Sequence, residues 1–245
     1  MNTVIGRLTR SEIRLMTREP LTLIFVFLFP VVTMLIIGGS FGTAPTPGFD
    51  GVIPSHWYVA SYLTVVIAAT GLIMVPVHLA SYRERGVLRR FAAAGFPRWS
   101  FALAELATGM VAIAVGSAIL LLVAAPVYGL PPMHHLLRVV LAFASGAVAF
   151  VSIGVLLGTV LPSARAAQGV GLILFFPSFL LGAGGPPPNV MGSALRSIAG
   201  SLPLTRLTDA VRGPWLGIST ATGSLAVVAA LAALATVLAV RRSAL

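Results

Sequence analysis

The chain has 245 residues, of which 58% are hydrophobic and only 9% charged, with a formal net charge of +10. Soluble domains carry nearer a quarter charged residues, so this chain cannot coat a globular surface with charge; it reads as an all-α integral membrane protein. All sixteen basic residues are arginine and there is no cysteine, which excludes a P-loop lysine, disulfides, thiolate metal sites and a cysteine nucleophile.

Residues 1–20 plot as an amphipathic helix. Val4, Ile5, Leu8, Ile13, Leu15 and Met16 share one half, and Arg7, Arg10, Arg14 and Arg18 form a narrow opposite strip, the pattern of a helix lying in the membrane interface with membrane lipid as its partner. Glu12 and Glu19 point into the apolar half. A carboxylate pressed into lipid is costly, so each is expected to pair with a nearby arginine, to be protonated, or to meet a partner protein.

A helix needs about 20 mostly apolar residues to span a bilayer. Six runs qualify within one transmembrane domain covering residues 1–245: 21–41, 57–80, 101–128, 136–161, 168–185 and 222–240. Pro30, Pro76, Pro126 and Pro177 fall inside four of them, which membrane helices tolerate when neighbours satisfy the freed backbone groups. With the N-terminus in the cytoplasm, twelve arginines lie inside and four (Arg138, Arg196, Arg206 and Arg212) outside, in line with the positive-inside rule. Six spans then return the C-terminus to the cytoplasm. The positive charge is thereby accounted for without a nucleic-acid partner.

The connector 81–100, within "LASYRERGVLRRFAAAGFPRWSF", concentrates five of the arginines. Residues 82–94 read as a short helix stopped by Gly95-Phe96-Pro97. Val87, Leu88 and Phe91 share a face with Glu84, rimmed by Arg83 and Arg90 on one side and by Arg85 and Arg89 on the other. The stripe either packs on the protein's own helix ends or docks a cytoplasmic partner, which would bury a few apolar side chains inside a polar rim.

Ionisable residues are scarce in the spans. Glu105 lies one turn into the third and His78 near the end of the second, both expected to be satisfied near the interface. An acid at the midplane, which a proton-coupled carrier would need, is missing. Gly154 and Gly158 form a GxxxG in the fourth span, and Gly109 and Gly116 lie on the third; both pairs suit close packing inside the bundle or a dimer seam. His134 and His135 are adjacent, without metal-ligand spacing, and read as loop residues. The segment 186–221 is expected to hold two short helices, over 189–200 and 204–217, with Asp209 and Arg212 spaced to pair. No paired carboxylates or nucleophile–base set emerges, so the chain is not expected to be an enzyme.

Three passages carry a resemblance. "TREPLTLIFVFLFP" (17–30), "RERGVLRRFAAAGFPRWSF" (83–101) and "LPLTRLTDAVRG" (202–213) resemble, in order and spacing, the membrane subunits of ABC exporters of the type-2 permease family. "LLGAGGPPP" departs from the Ser-Gly usual at that point of the family. The resemblance implies a coupling helix between spans two and three, with Arg83, Glu84, Gly86, Val87, Leu88 and Phe91 at the positions that meet a separate nucleotide-binding subunit. It implies ABC ATPase partners that hold ATP and magnesium, this chain itself carrying no cofactor, and a second permease copy in a homodimer or heterodimer. It also implies short external helices that re-enter the membrane before span six, with Pro203, Thr205, Asp209 and Arg212 at an external gate, and export of an antibiotic, drug or lipid across the cell membrane. A carrier or channel needing no ATPase, and a membrane scaffold or sensor that transports nothing, remain alternative readings of the same residues.

Overall fold

The computed structural model describes residues 24–87, 90, 93 and 98–244, and every regular element among them is helical. The expected amphipathic helix 1–20, with Glu12 and Glu19, lies outside the described residues, as do Leu88, Arg89 and Phe91 of the connector. Among the described residues nine α-helices are bounded at both ends, in chain order: α1 Phe29–Gly39, α2 Pro54–Ala69, α3 Val75–Glu84, α4 Arg98–Tyr128, α5 Leu136–Val160, α6 Ala164–Ser178, α7 Ser193–Ser201, α8 Pro203–Leu216 and α9 Thr222–Ala244. Wide π-helical turns precede α1 (Ile24–Leu28), join α2 to α3 (Thr70–Met74) and extend α6 (Phe179–Ala183).

Local sequence sets these boundaries. Pro54 opens α2 at a position where its missing N–H is not needed, after an extended Ile53. The Ser163 hydroxyl accepts the Ala166 N–H at 3.1 Å and caps α6. Gly217, at φ +73°, ends α8 in the left-handed region. Pro30 and Pro76 sit just beyond the wide turns Ile24–Leu28 and Thr70–Met74, and Pro177 just before Phe179–Ala183. Pro126 is carried inside a continuous α4.

Among the described residues five runs are long and apolar enough to cross a membrane: Pro47–Glu84, Leu103–Tyr128, Leu136–Val160, Ala164–Ala183 and Thr222–Arg242. The first expected span is described from Ile24 as a shorter apolar run, Ile24–Gly39. The most apolar window of Pro47–Glu84 is 94% buried, against 22% for Thr222–Arg242, so α2 and α3 form the axis of the bundle and α9 its rim. Around that axis α1, α4, α5, α6 and α8 all pack, while α9 lies mainly against α5.

Glycines bring α5 against the axis. A Cβ on Gly71 would collide with the Phe150 carbonyl oxygen, and one on Gly154 with the Gly71 carbonyl oxygen. One on Gly158 would lie 2.8 Å from Leu79 Cβ. The GxxxG of the fourth span is therefore internal packing. On the other side of the wide turn, Gly171 of α6 abuts the Leu72 carbonyl. Pro76, four residues on, has no N–H to offer that carbonyl. Gly109 and Gly116 likewise face inward, against Val151 and Val66.

Candidate functional site

At one end of the bundle, α3 runs into the connector. Its last residues are Arg83 and Glu84, both exposed. The chain then turns at Arg85 and Gly86, with Gly86 at φ +66°, a conformation that glycine adopts without steric cost. Helical structure resumes at Val87, and the Arg90 N–H bonds to the Gly86 carbonyl at 3.2 Å. The expected unbroken helix over 82–94 is thus corrected: Arg83 and Glu84 finish the second span, and Gly86 separates them from Val87. Gly86 breaks the projected face between Glu84 and Val87, while Leu88 and Phe91 lie outside the described residues.

Arg83 does more than rim the connector. Its Nη1 donates to the carbonyls of Gly158 and Leu161, both at 2.9 Å, at the C-terminal end of α5. A helix leaves its last carbonyls without internal partners and carries partial negative charge there, so a guanidinium is a well-matched cap. Nearby, the His78 and Glu105 side chains meet between α3 and α4, with Nδ1 and Oε1 3.0 Å apart and only 3% and 0% of the two side chains exposed. The His78 ring also lies 4.4 Å from that of Tyr82. The sequence had singled out both residues as satisfied groups; that they satisfy each other is visible only in three dimensions.

At the opposite end, α8 lies against α2 and α5 and buries Leu204, Thr205, Leu207, Thr208 and Val211. Pro203 opens the helix and is exposed. Thr205 is buried against Gly182, where a Cβ would lie 3.0 Å from its Oγ1. Thr208 Oγ1 lies 2.8 Å from Thr64 Oγ1 of α2. Arg212 donates from Nη2 to Asp209 Oδ1 at 2.7 Å and from Nη1 to Ser61 Oγ at 3.3 Å. Its guanidinium carbon sits 3.8 Å from the centre of the Trp57 ring. Burial pushes the Asp209 carboxyl up, with Arg212 pulling it back; burial pushes the Arg212 guanidinium down, with Asp209 opposing. Asn189 Nδ2 donates to Asp50 Oδ1 at 2.6 Å and ties the segment before α7 to the loop before α2. The two expected helices of this segment are α7 and α8, each starting or ending within a few residues of the predicted bounds.

A third feature gave no local signal in the sequence. Aromatic rings touch in an unbroken series through the first, fifth and second apolar runs. Phe25 meets Phe29, Phe29 meets Phe179 at 5.2 Å, Phe179 meets Tyr62 at 5.9 Å, and Tyr62 meets Tyr58 at 6.2 Å. Tyr58 and Trp57 then both pack on Phe49, and Trp57 carries Arg212. The spacings are those of favourable offset and edge-to-face pairs. Phe49, Trp57, Tyr58, Tyr62 and Phe179 are buried, and Phe25 and Phe29 partly so. His134 and His135 lie in the loop before α5, where their N–H groups bond to the Trp215 and Pro214 carbonyls. Among the described residues no group of histidines and acids is arranged to hold a metal ion.

The sequence profile of the ABC-2 type transporter family matches residues 3–215, which include the connector, the α2–α3 axis and the Asp209–Arg212 helix. A search of curated proteins finds no significant match. A match over most of the chain, in a protein whose apolar helices cross the membrane several times, is decisive: the chain belongs to the ABC-2 type transporter family, whose permease domains work with ABC ATPase subunits.

Proposed function

We propose that this chain is the membrane-spanning permease subunit of an ATP-driven exporter that moves a hydrophobic or amphipathic molecule, such as an antibiotic, drug or lipid, outward across the cell membrane. Separate ABC ATPase subunits bind ATP and magnesium and supply the energy, and two permease copies, identical or different, form the pathway. The chain has six spans, the first including Ile24–Gly39, with both termini in the cytoplasm. Family membership carries this reading. The poverty of charge inside the spans supports an apolar cargo: His78–Glu105 is the sole acid–base pair within the candidate spans among the described residues.

In this reading the connector docks on the ATPase through Glu84, Gly86 and Val87, together with Leu88 and Phe91, while Arg83 lies at its root. The α7–α8 segment dips back from outside and closes the exit, with Pro203 and Thr205 at its start and Asp209 and Arg212 holding it on the second span. Cargo leaves by alternating exposure or by lateral entry from the inner leaflet.

Co-purification from the native host through a C-terminal tag tests the reading. A P-loop ATPase at near-equal stoichiometry, with magnesium-dependent ATP hydrolysis in the purified complex, is the expected outcome. A chain that purifies alone and moves substrate without ATP would be a carrier; one that purifies alone and moves nothing would be a scaffold or sensor.

A further inference from the structure

The connector leaves α3 at Gly86, and on the α3 side of that glycine the helix is tied to two neighbours. Arg83 caps α5 through two carbonyls, Gly158 and Leu161, at 2.9 Å each. His78 meets Glu105 of α4 at 3.0 Å, out of contact with solvent. The two ties are five residues apart, roughly 7.5 Å along the helix. Between the ties and beyond them, α3 and α5 touch through apolar groups, Leu79 on Gly158 and Val75 on Gly154. These close contacts set the register of the two helices along the seam, away from the connector. The Arg83 bonds are directional and end-on, so they fix that register where a push from the connector arrives.

We propose that Arg83, His78 and Glu105 are positioning residues that join α3, α4 and α5 into one moving body at the root of the connector. A displacement of the connector then reaches α5, to which it is not covalently adjacent, as well as the two helices that it links. The inference rests on the exporter reading and adds the mechanical unit through which ATP-driven motion enters the membrane.

The absence of cysteine makes the test direct, since labels can be placed at will. In the complete complex with its ATPase subunits, spin labels go on Arg85→Cys and Val160→Cys to follow α3 against α5. Labels on Arg85→Cys and Leu103→Cys follow α3 against α4, and labels on Arg90→Cys in the two permease copies follow the connectors. All four positions are exposed. Distances are measured without nucleotide and after trapping with ATP and vanadate.

The expected result is a clear shift between the two connectors on trapping, with the Arg85–Val160 and Arg85–Leu103 distances unchanged. Arg83→Gln should then broaden or shift the first of these distances on trapping and Glu105→Ala the second. Arg83→Lys, which retains a cationic donor, should restore much of the narrow distribution. Thermal midpoints of the same variants show whether the fold is retained; if Arg83→Gln unfolds the complex, Arg83→Lys and Glu105→Gln supply the comparison. Connectors that move while α3 slides on α5 in the unsubstituted chain, or distances that stay narrow in Arg83→Gln and Glu105→Ala, overturn the proposal and leave the exporter reading intact. A complex in which no ATPase is bound, or in which trapping moves no connector, overturns both.

Discussion

Arg212 illustrates what one residue can and cannot disclose. Its spacing from Asp209 announces an i,i+3 pair, and the pair forms at 2.7 Å. Ser61 and Trp57, its other partners, lie some 150 positions away, and no local pattern points to them. Burial disfavours the charged form of both Asp209 and Arg212, so desolvation exceeds what the pair recovers by attraction. A buried pair of this kind is weak evidence of stabilisation; what its geometry does is hold α8 against α2. Asp209→Ala leaves the buried guanidinium with Ser61, the Trp57 ring and the charge of Asp50, and should lower stability by about 1–3 kcal/mol, the usual cost of a stranded polar partner. The double variant Asp209→Leu with Arg212→Met removes both charges, and should recover most of that loss in thermal midpoint in detergent while still impairing export. A double variant as unstable as the single one would show that the pair itself, not the stranded charge, sets stability.

Among the elements, the seam between α5 and the α2–α3 axis has the least tolerance. Gly71→Ala or Gly154→Ala places a methyl group against a backbone carbonyl on a facing helix, which cannot rotate away. Overpacking of this kind costs about 1–3 kcal/mol. Gly169 of α6 and Gly223 of α9 have no atom within 4 Å of an added Cβ, and alanine there should be neutral or slightly stabilising, by about 0.5–1 kcal/mol. Thermal midpoints of the four single variants test the contrast, and equal midpoints would dissolve the seam. The GxxxG was legible in the sequence, but its partner was not: small residues signal a close approach without saying to which helix. The connector shows the converse. Helical periodicity over residues 82–94 treats Gly86 as neutral, whereas its positive φ ends one helix and re-aims the next. Periodicity reports the spacing of apolar side chains; it carries no information on the dihedral of a residue that has none.

For the whole molecule, hydropathy was enough to place the apolar runs, because the bilayer demands length and apolarity whatever the packing. It could not reveal that Pro47–Glu84 is enclosed and Thr222–Arg242 peripheral, since the enclosed run has the lower mean hydropathy, 2.1 against 2.4. The arginine distribution predicts an orientation with both termini in the cytoplasm. A tag inserted between Ala44 and Pro45, in an exposed stretch of the first loop, should be reachable from outside intact cells, and one after Leu245 should not. The reverse labelling would invert the topology and put the connector on the wrong side for an ATPase.

The coupling of the two sides can be probed at Glu84. Its side chain is exposed at the end of α3, with no ion pair among the described residues, so Glu84→Arg should change stability by no more than about 0.5 kcal/mol. A docking surface meets the reversal differently, because like charges brought together across an interface are strongly disfavoured. The variant should therefore insert and fold normally, yet lose roughly ten-fold or more of its ATP-driven export, the equivalent of about 1.4 kcal/mol of coupling. Hydrolysis by the bound ATPase should fall less than export does, since the change lies on the permease side of the contact. Arg85→Glu, one residue on and outside the docking set, serves as the charge control. If Glu84→Arg exports as well as the unsubstituted chain, the second-span end is not what the ATPase grips, and the docking surface must lie wholly beyond Gly86.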